Sequence, residues 1–165
     1  MKPAFPYAVL AFAALVADQA VKAWAEVSLP FEQAVAIVPY VSLYRTWNIG
    51  ISFSFLGGTG PTALAALSAA VMVFVLWLAM KTAPTDRFAR AGFALILAGA
   101  AGNLIDRLRF GHVVDYMLVH TESWAFAVFN LADACITVGA GLVLLQEAIA
   151  WRAGRNSRSQ TPKAD

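Results

Sequence analysis

Residues 62–80 run for 19 positions without a charged side chain. The bilayer sets that length, since about 20 apolar residues are needed to cross a hydrocarbon core about 30 Å thick. Backbone amides in lipid must be satisfied within the segment itself, so this run reads as a helix and the rest of the chain must fit a membrane bundle. Composition agrees: 60% of residues are hydrophobic, 13% are charged, and the mean hydropathy is +0.66. A chain of 165 residues allows one bundle rather than two domains.

Three more spans are expected. Residues 5–27 are apolar through Ala17 and then carry Asp18 and Lys22, an i,i+4 pair that shares a helical face and can neutralise itself. Residues 91–105 reach span length only if the polar end at Asn103 and Asp106 is embedded as well. Residues 124–149 are long enough to tilt, with Asp133 about a third of the way along. Four spans place both termini on one side, and the basic residues choose which. Lys2, Lys81, Arg87, Arg90, Arg152, Arg155, Arg158 and Lys163 are eight of the twelve, and all are expected in the cytoplasm. Arg107 and Arg109 then lie on the opposite side, which implies that partners hold them. Trp124 and Trp151 are placed at the membrane interfaces. Lys2 followed by an apolar run has the look of a cleavable signal peptide, but the helical pattern continues through Asp18 and Lys22 to Val27.

Residues 28–60 are too long for a tight connection and too rich in Val, Ile, Tyr, Trp and Phe to stay unfolded, so they are expected to lie on the outer membrane surface. Within them, residues 34–47 read as one or two short strands, edged or broken by Pro39. Asn48 and Gly50 read as a turn, and residues 51–56 as a short strand or a half-buried interfacial helix. A second outward loop, residues 107–123, contains an apolar patch at VVDY. The polar, basic tail at residues 154–165 is expected to be disordered. The net charge of +2 is mostly topogenic and points to no nucleic-acid partner.

Three acids, Asp106, Asp115 and Asp133, sit in or beside apolar stretches. An ionised group at the centre of a span costs about 2.5–3.5 kcal/mol even on insertion scales, which makes such acids candidates for function. His112 and His120 lack the H-E-x-x-H arrangement of a zinc site. No serine has a G-x-S-x-G context. Cys135, the single cysteine, reads as a small packed residue and leaves no internal disulfide framework. The remaining solution is a pair of carboxylates sharing one proton, which needs no cofactor and no metal. Asp106, followed by Arg107 and three residues after Asn103, reads as a structural acid in a hydrogen-bonded cluster. Asp115 is flanked by Val113, Val114, Tyr116 and Met117, and Asp133 follows Asn130 by three residues. Those two are the favoured pair, although spacing alone does not establish that they meet.

Five blocks then resemble one family: DQAVK at 18–22, NIGISF at 48–53, GNLIDR at 102–107, VVDY at 113–116 and FNLAD at 129–133. Their order and spacing are similar to those of the bacterial lipoprotein signal peptidases, signal peptidase II. The resemblance implies an all-α, four-helix membrane bundle with a small extracytoplasmic β-cradle and a short interfacial helix. It implies a membrane aspartyl endopeptidase, sensitive to globomycin, that cuts diacylglyceryl-modified prolipoproteins just before the lipidated cysteine. Asp115 and Asp133 match its catalytic dyad. Asn48, Asn103, Arg107 and Asn130 match positions that support the site or hold the substrate backbone, and Asp18 and Lys22 match a polar pair nearby. The expected setting is the bacterial inner membrane, with the active site toward its outer face, membrane lipid around it and the chain acting as a monomer. Two departures stand out: Ala98 precedes Gly99 where two glycines are usual, and Tyr116 replaces a common phenylalanine. Two other readings compete, a small proton or ion carrier and a scaffold whose acids only pair with Lys22, Arg107 and Arg109. The gathering of the acids toward one end of the spans favours a surface-accessible site over a carrier.

Overall fold

A computed structural model describes residues 4–50 and 61–159. The chain order is α1 (Phe5–Ser28), β1 (Ala34–Val38), β2 (Val41–Asn48), α2 (Pro61–Lys81), α3 (Arg87–Phe110), β3 (Val113–Val119) and α4 (Leu131–Ser159). All four helices are long and apolar enough to cross a membrane. Their large apolar side chains, such as Phe12, Phe74 and Leu144, point outward, as expected where the solvent is lipid.

The helices surround α3, which packs on α1, α2 and α4, whereas α2 leans on α3 almost alone. Small residues permit the closest of these packings. A Cβ on Gly92 would stand 2.5 Å from the Gly139 carbonyl oxygen, one on Gly139 2.6 Å from the Gly92 carbonyl oxygen, and one on Gly99 would collide with the Ala132 carbonyl. Lipid offers no hydrophobic drive for helix association, so close van der Waals contact across small residues has to supply it. Along α1 the buried residues are Asp18, Lys22 and Ala25, a stripe that turns the polar pair inward.

Among the described residues the strands form one sheet in the order β1-β2-β3, with both pairings antiparallel. The β1–β2 hairpin turns at Pro39 and Tyr40, with Val38 opposite Val41 and Tyr40 at φ +70°. Proline first and a left-handed residue second is the order a type II turn requires. Leu29 and Ala25 at the end of α1 pack on Tyr116, with Leu43 and Met117 beside them, which seats the sheet on the bundle.

Several boundaries differ from the sequence reading. The VVDY patch, expected in a loop, forms β3 and pairs with β2; Val113, Val114, Asp115 and Tyr116 are all buried, so no alternation of apolar and polar residues marks the strand. Helix α3 continues past Ile105 to Phe110 and stops where Gly111 takes φ +78°. Helix α4 starts at Leu131 rather than at Trp124. Residues 124–129 are instead non-helical, tied by Phe126 N–H to the Val119 carbonyl and by a mutual pair of bonds between Phe129 and Met117. At its other end α4 runs on to Ser159, so the tail expected to be disordered from Gly154 is helical for that stretch. Arg155 and Arg158 are good helix formers, and no proline interrupts the stretch from Gly154 to Ser159. The interfacial element expected at residues 51–56 lies outside the described residues.

Replacing Gly92 with valine should therefore destabilise the bundle by about 1–3 kcal/mol, the usual cost of overpacking. Gly141→Ala should be neutral or slightly stabilising, because nothing lies within 4 Å of the place its methyl group would occupy. Thermal unfolding of both variants in detergent, compared with the parent, measures the contrast.

Candidate active site

At the junction of the sheet with α1, α3 and α4, polar groups are concentrated in an otherwise apolar molecule. Lys22, 3% exposed, lies at its centre. Its Nζ is 3.0 Å from Asp18 Oδ2 and 2.8 Å from Asp106 Oδ2, and it donates to Asn103 Oδ1 at 2.8 Å. An ammonium has three donors, and here each has an acceptor. Gln19 closes the cluster, donating to Asp106 Oδ1 at 3.0 Å and to Asp18 Oδ2 at 3.3 Å. Asp106 Oδ2 also accepts the Val114 N–H at 3.3 Å, so this acid ties α3 to β3.

Local sequence explains how α4 begins here. Asn130 Oδ1 accepts the Asp133 N–H at 3.0 Å, and the Asn130 N–H donates to Asp133 Oδ2 at 3.2 Å. This reciprocal pattern is a capping box with an aspartate at its third position. The two intervening amides are satisfied from elsewhere: Leu131 N–H by the Tyr116 phenol at 3.1 Å, Ala132 N–H by Asp18 Oδ1 at 2.9 Å. The Ala134 N–H then makes a helical bond to the Asn130 carbonyl at 3.2 Å. Every amide orphaned at this helix start has an acceptor, and two of the acceptors are carboxylates, which the positive end of the helix dipole favours.

Asp115 and Asp133 meet in the same network. Asp115, 2% exposed on β3, accepts Asn130 Nδ2 on Oδ1 at 2.6 Å and Asn48 Nδ2 on Oδ2 at 3.0 Å. Asp133 Oδ1 accepts Asn103 Nδ2 at 2.8 Å, while its other oxygen takes the capping bond. Asn130 Nδ2 also reaches Asn103 Oδ1 at 3.2 Å, so two amides connect both acids to each other and to Lys22. Burial pushes the Asp115 carboxyl up from 3.8 to about 6, and the nearby charge of Asp133 adds to the rise, while the amides of Asn48 and Asn130 oppose it. Burial likewise raises the Tyr116 phenol to about 12, so it stays neutral. Beside Asn103, a cleft of about 260 Å³ opens between α2, α3 and α4, walled by Leu64, Leu67, Val71, Ala100 and Ile136.

The sequence-selected residues thus fall into two groups. Asp18, Lys22 and Asp106 form the ionic cluster, and Asn48, Asn103, Asn130, Asp115 and Asp133 form the amide-and-acid network. Asp106 pairs with Lys22 rather than with its neighbour Arg107, whose guanidinium donates to the Asn103 carbonyl at 3.4 Å. Arg107 and Asn103 both line the cleft. Sequence reasoning missed Gln19 and the capping role of the Tyr116 phenol. It also treated Asn130 as a residue inside a helix, although Asn followed three positions later by Asp is a helix-start signal. Among the described residues no group of three or more His, Cys, Asp or Glu could hold a metal ion. His120 bonds Ser42 at 2.9 Å, and His112 stacks on Trp47.

A bundle of four membrane-length helices, topped by a three-stranded sheet and carrying paired acids where the two meet, defines an integral membrane protein with an active-site-like polar centre. The family model described as signal peptidase (SPase) II matches residues 10–149. A lipoprotein signal peptidase of Sinorhizobium fredii is 52% identical over 152 residues, covering 92% of this chain and 91% of the relative. One from Mesorhizobium japonicum is 51% identical over 147 residues, covering 89% and 88%. The chain belongs to the signal peptidase II family. Two solved bacterial membrane enzymes share the fold, with TM-scores of 0.76 and 0.75 at 24% and 21% identity. They cover 85% and 97% of this chain, and 90% and 94% of their own lengths are matched.

The raised Asp115 carboxyl has a consequence for stability. A carboxyl whose folded value lies above its unfolded one holds its proton more tightly when folded. Its contribution is complete below 3.8 and is lost as pH rises through about 6. Relative to Asp115→Asn, the parent protein should therefore lose stability between about pH 4 and pH 6 and stay level above that. Paired unfolding curves across this range check the sign.

Proposed function

We propose that this protein is a membrane aspartyl endopeptidase that removes the signal peptide from diacylglyceryl-modified prolipoproteins by cutting just before the lipidated cysteine. The observation that carries this reading is the linkage of Asp115 and Asp133 through Asn103 and Asn130, with Asn103 itself on the wall of a largely apolar cleft. The similarity to relatives named lipoprotein signal peptidase supplies the substrate class.

Two acids at close range do not both ionise, so they hold one proton between them. Asp115, the more deeply buried, keeps that proton and donates it to the scissile carbonyl oxygen. Asp133, only partly buried and bonded to Asn103 of the cleft wall, takes a proton from water as the water oxygen bonds to the carbonyl carbon. The resulting gem-diol collapses when the C–N bond breaks: the leaving amine receives the proton from Asp133, and one hydroxyl returns its proton to Asp115 as the carboxyl forms, which restores the single shared proton. No cofactor enters the sequence of steps. Asn48, Asn103 and Asn130 fix the two carboxyls, and the ionic cluster behind them fixes Asn103. Arg107, on the cleft wall, is placed to hold substrate backbone. The apolar cleft between α2 and α4 suits acyl chains or a signal-peptide helix arriving laterally from lipid.

Topology follows from the distribution of lysine and arginine: both termini in the cytoplasm, the sheet and the acids toward the outer face of the bacterial inner membrane. We take the acting species to be a monomer.

Purified protein in detergent, given a diacylglyceryl-modified precursor, should cleave it and leave an unmodified precursor intact. Asp115→Asn and Asp133→Asn should each lower turnover on the order of 10³-fold or more while remaining folded. Retained turnover in either variant would remove the dyad. A well-folded parent that cleaves nothing would return the carrier reading, for which proton flux in liposomes is the assay.

A further inference from the structure

Arg109 stands against the positive-inside rule, and an arginine so placed calls for a partner. Its neighbour Arg107 has the Asn103 carbonyl. Arg109 is exposed in the last turn of α3 and, among the described residues, pairs with no carboxylate; its guanidinium lies 5.1 Å from the Phe110 ring centroid. Nearby acids are engaged elsewhere. Asp106 holds Lys22, and Glu26 accepts Trp47 Nε1 at 2.9 Å and lies 3.5 Å from Arg45.

Arg109 borders a cavity of about 400 Å³ between α1, α3 and β2, lined also by Ala23, Glu26, Val27, Trp47, Phe110 and His112. This is not the cleft beside Asn103, which lies between α2, α3 and α4. One wall is a stack of rings: Phe31 to Trp47 at 4.6 Å, Trp47 to His112 at 4.6 Å, and His112 to Phe110 at 5.9 Å between centroids. The floor includes Lys22 and Asp106. Because α1 and α3 both have membrane-spanning length and end here against the sheet, the cavity lies at the boundary between hydrocarbon and headgroups. Its apolar side continues into surface that faces lipid, with Val27 89% and Leu108 71% exposed. An occupant must therefore be anionic where it meets Arg109 and apolar where it meets α1 and α3.

We infer that this cavity is a phospholipid site, in which Arg109 holds the phosphodiester and the acyl chains descend along the α1–α3 face. A guanidinium presents a planar fork that matches phosphate oxygens, and it is less strongly hydrated than an ammonium. Trp47 and His112 offer amphipathic rings at headgroup level, where such rings are favoured. The lipid supplies the counter-charge that Arg109 lacks among the described residues. It also lies against Lys22 and Asp106, so its occupancy braces the ionic cluster.

The test is lipid binding by the full-length protein in a maltoside detergent, titrated with dioctanoyl phosphatidylglycerol and read by native mass spectrometry. One lipid should bind saturably. Arg109→Gln should weaken it about tenfold, with Arg109→Lys in between because it keeps the charge and loses the fork. Excess inorganic phosphate should not displace the lipid. Equal affinity in the parent and in Arg109→Gln overturns the site, as does displacement by inorganic phosphate, which would make it a small-anion site. Should the glutamine variant fail to fold, the lysine variant carries the comparison, and affinity equal to the parent's overturns the site. Because binding is the readout, the result is independent of whether the protein cleaves lipoproteins.

Discussion

The ammonium of Lys22 is the group on which the rest of the structure depends. A lone buried cation in a membrane protein is costly, and this one is accommodated by giving each of its hydrogens an acceptor: Asp18, Asp106 and Asn103. Two carboxylates against one ammonium leave a surplus negative charge. The start of α4 offsets part of it, since Asp18 also accepts the Ala132 amide at the positive end of that helix. In this way α1, α3 and α4 are locked at one level, and β3 is drawn in through the bond from Val114 to Asp106. Removing one partner from such a set strands the others, which typically costs about 3–5 kcal/mol.

On that foundation the two acids are placed by amides rather than by cations. Asn103 is anchored by Lys22 and hands its Nδ2 to Asp133; Asn130 caps α4 and hands its Nδ2 to Asp115. A cation bonded to either acid would favour its ionised form and separate the pair's protons. Neutral amides fix geometry and oppose the rise of Asp115 only in part, so burial still raises it. On the proposed chemistry, such an arrangement sacrifices stability for reactivity, a pattern expected at functional sites.

Much of this is legible in the sequence because a bilayer imposes length on its spans and charge on its loops. Residues 62–80 match α2 almost to the residue, and the helical spacing of Asp18 and Lys22 is enough to pair them. The β-branched and aromatic content of residues 34–47 marks them as strands, with Pro39 at the break, where it forms the turn. What stays hidden is tertiary. The strand through Asp115 is buried on both faces and shows no alternation, so it resembles an apolar loop. The apolar stretch from Trp124 to Phe129 resembles the first turns of a helix, although Asn130 and Asp133 mark the true start by capping it. Asp106 is expected beside Arg107, its neighbour in sequence, but the charge that serves it comes from α1.

The central claim is that Asp115 and Asp133 share a proton. It is tested most directly by following the Asp115 side-chain carboxyl by carbon NMR through a pH titration of aspartate-labelled protein, in the parent and in Asp133→Asn. Asp115 should keep its proton to about pH 6 in the parent and release it at a lower pH once the neighbouring charge is gone. An Asp115 that titrates near 3.8, or one whose midpoint does not move in Asp133→Asn, would contradict the shared proton and with it the proposed chemistry.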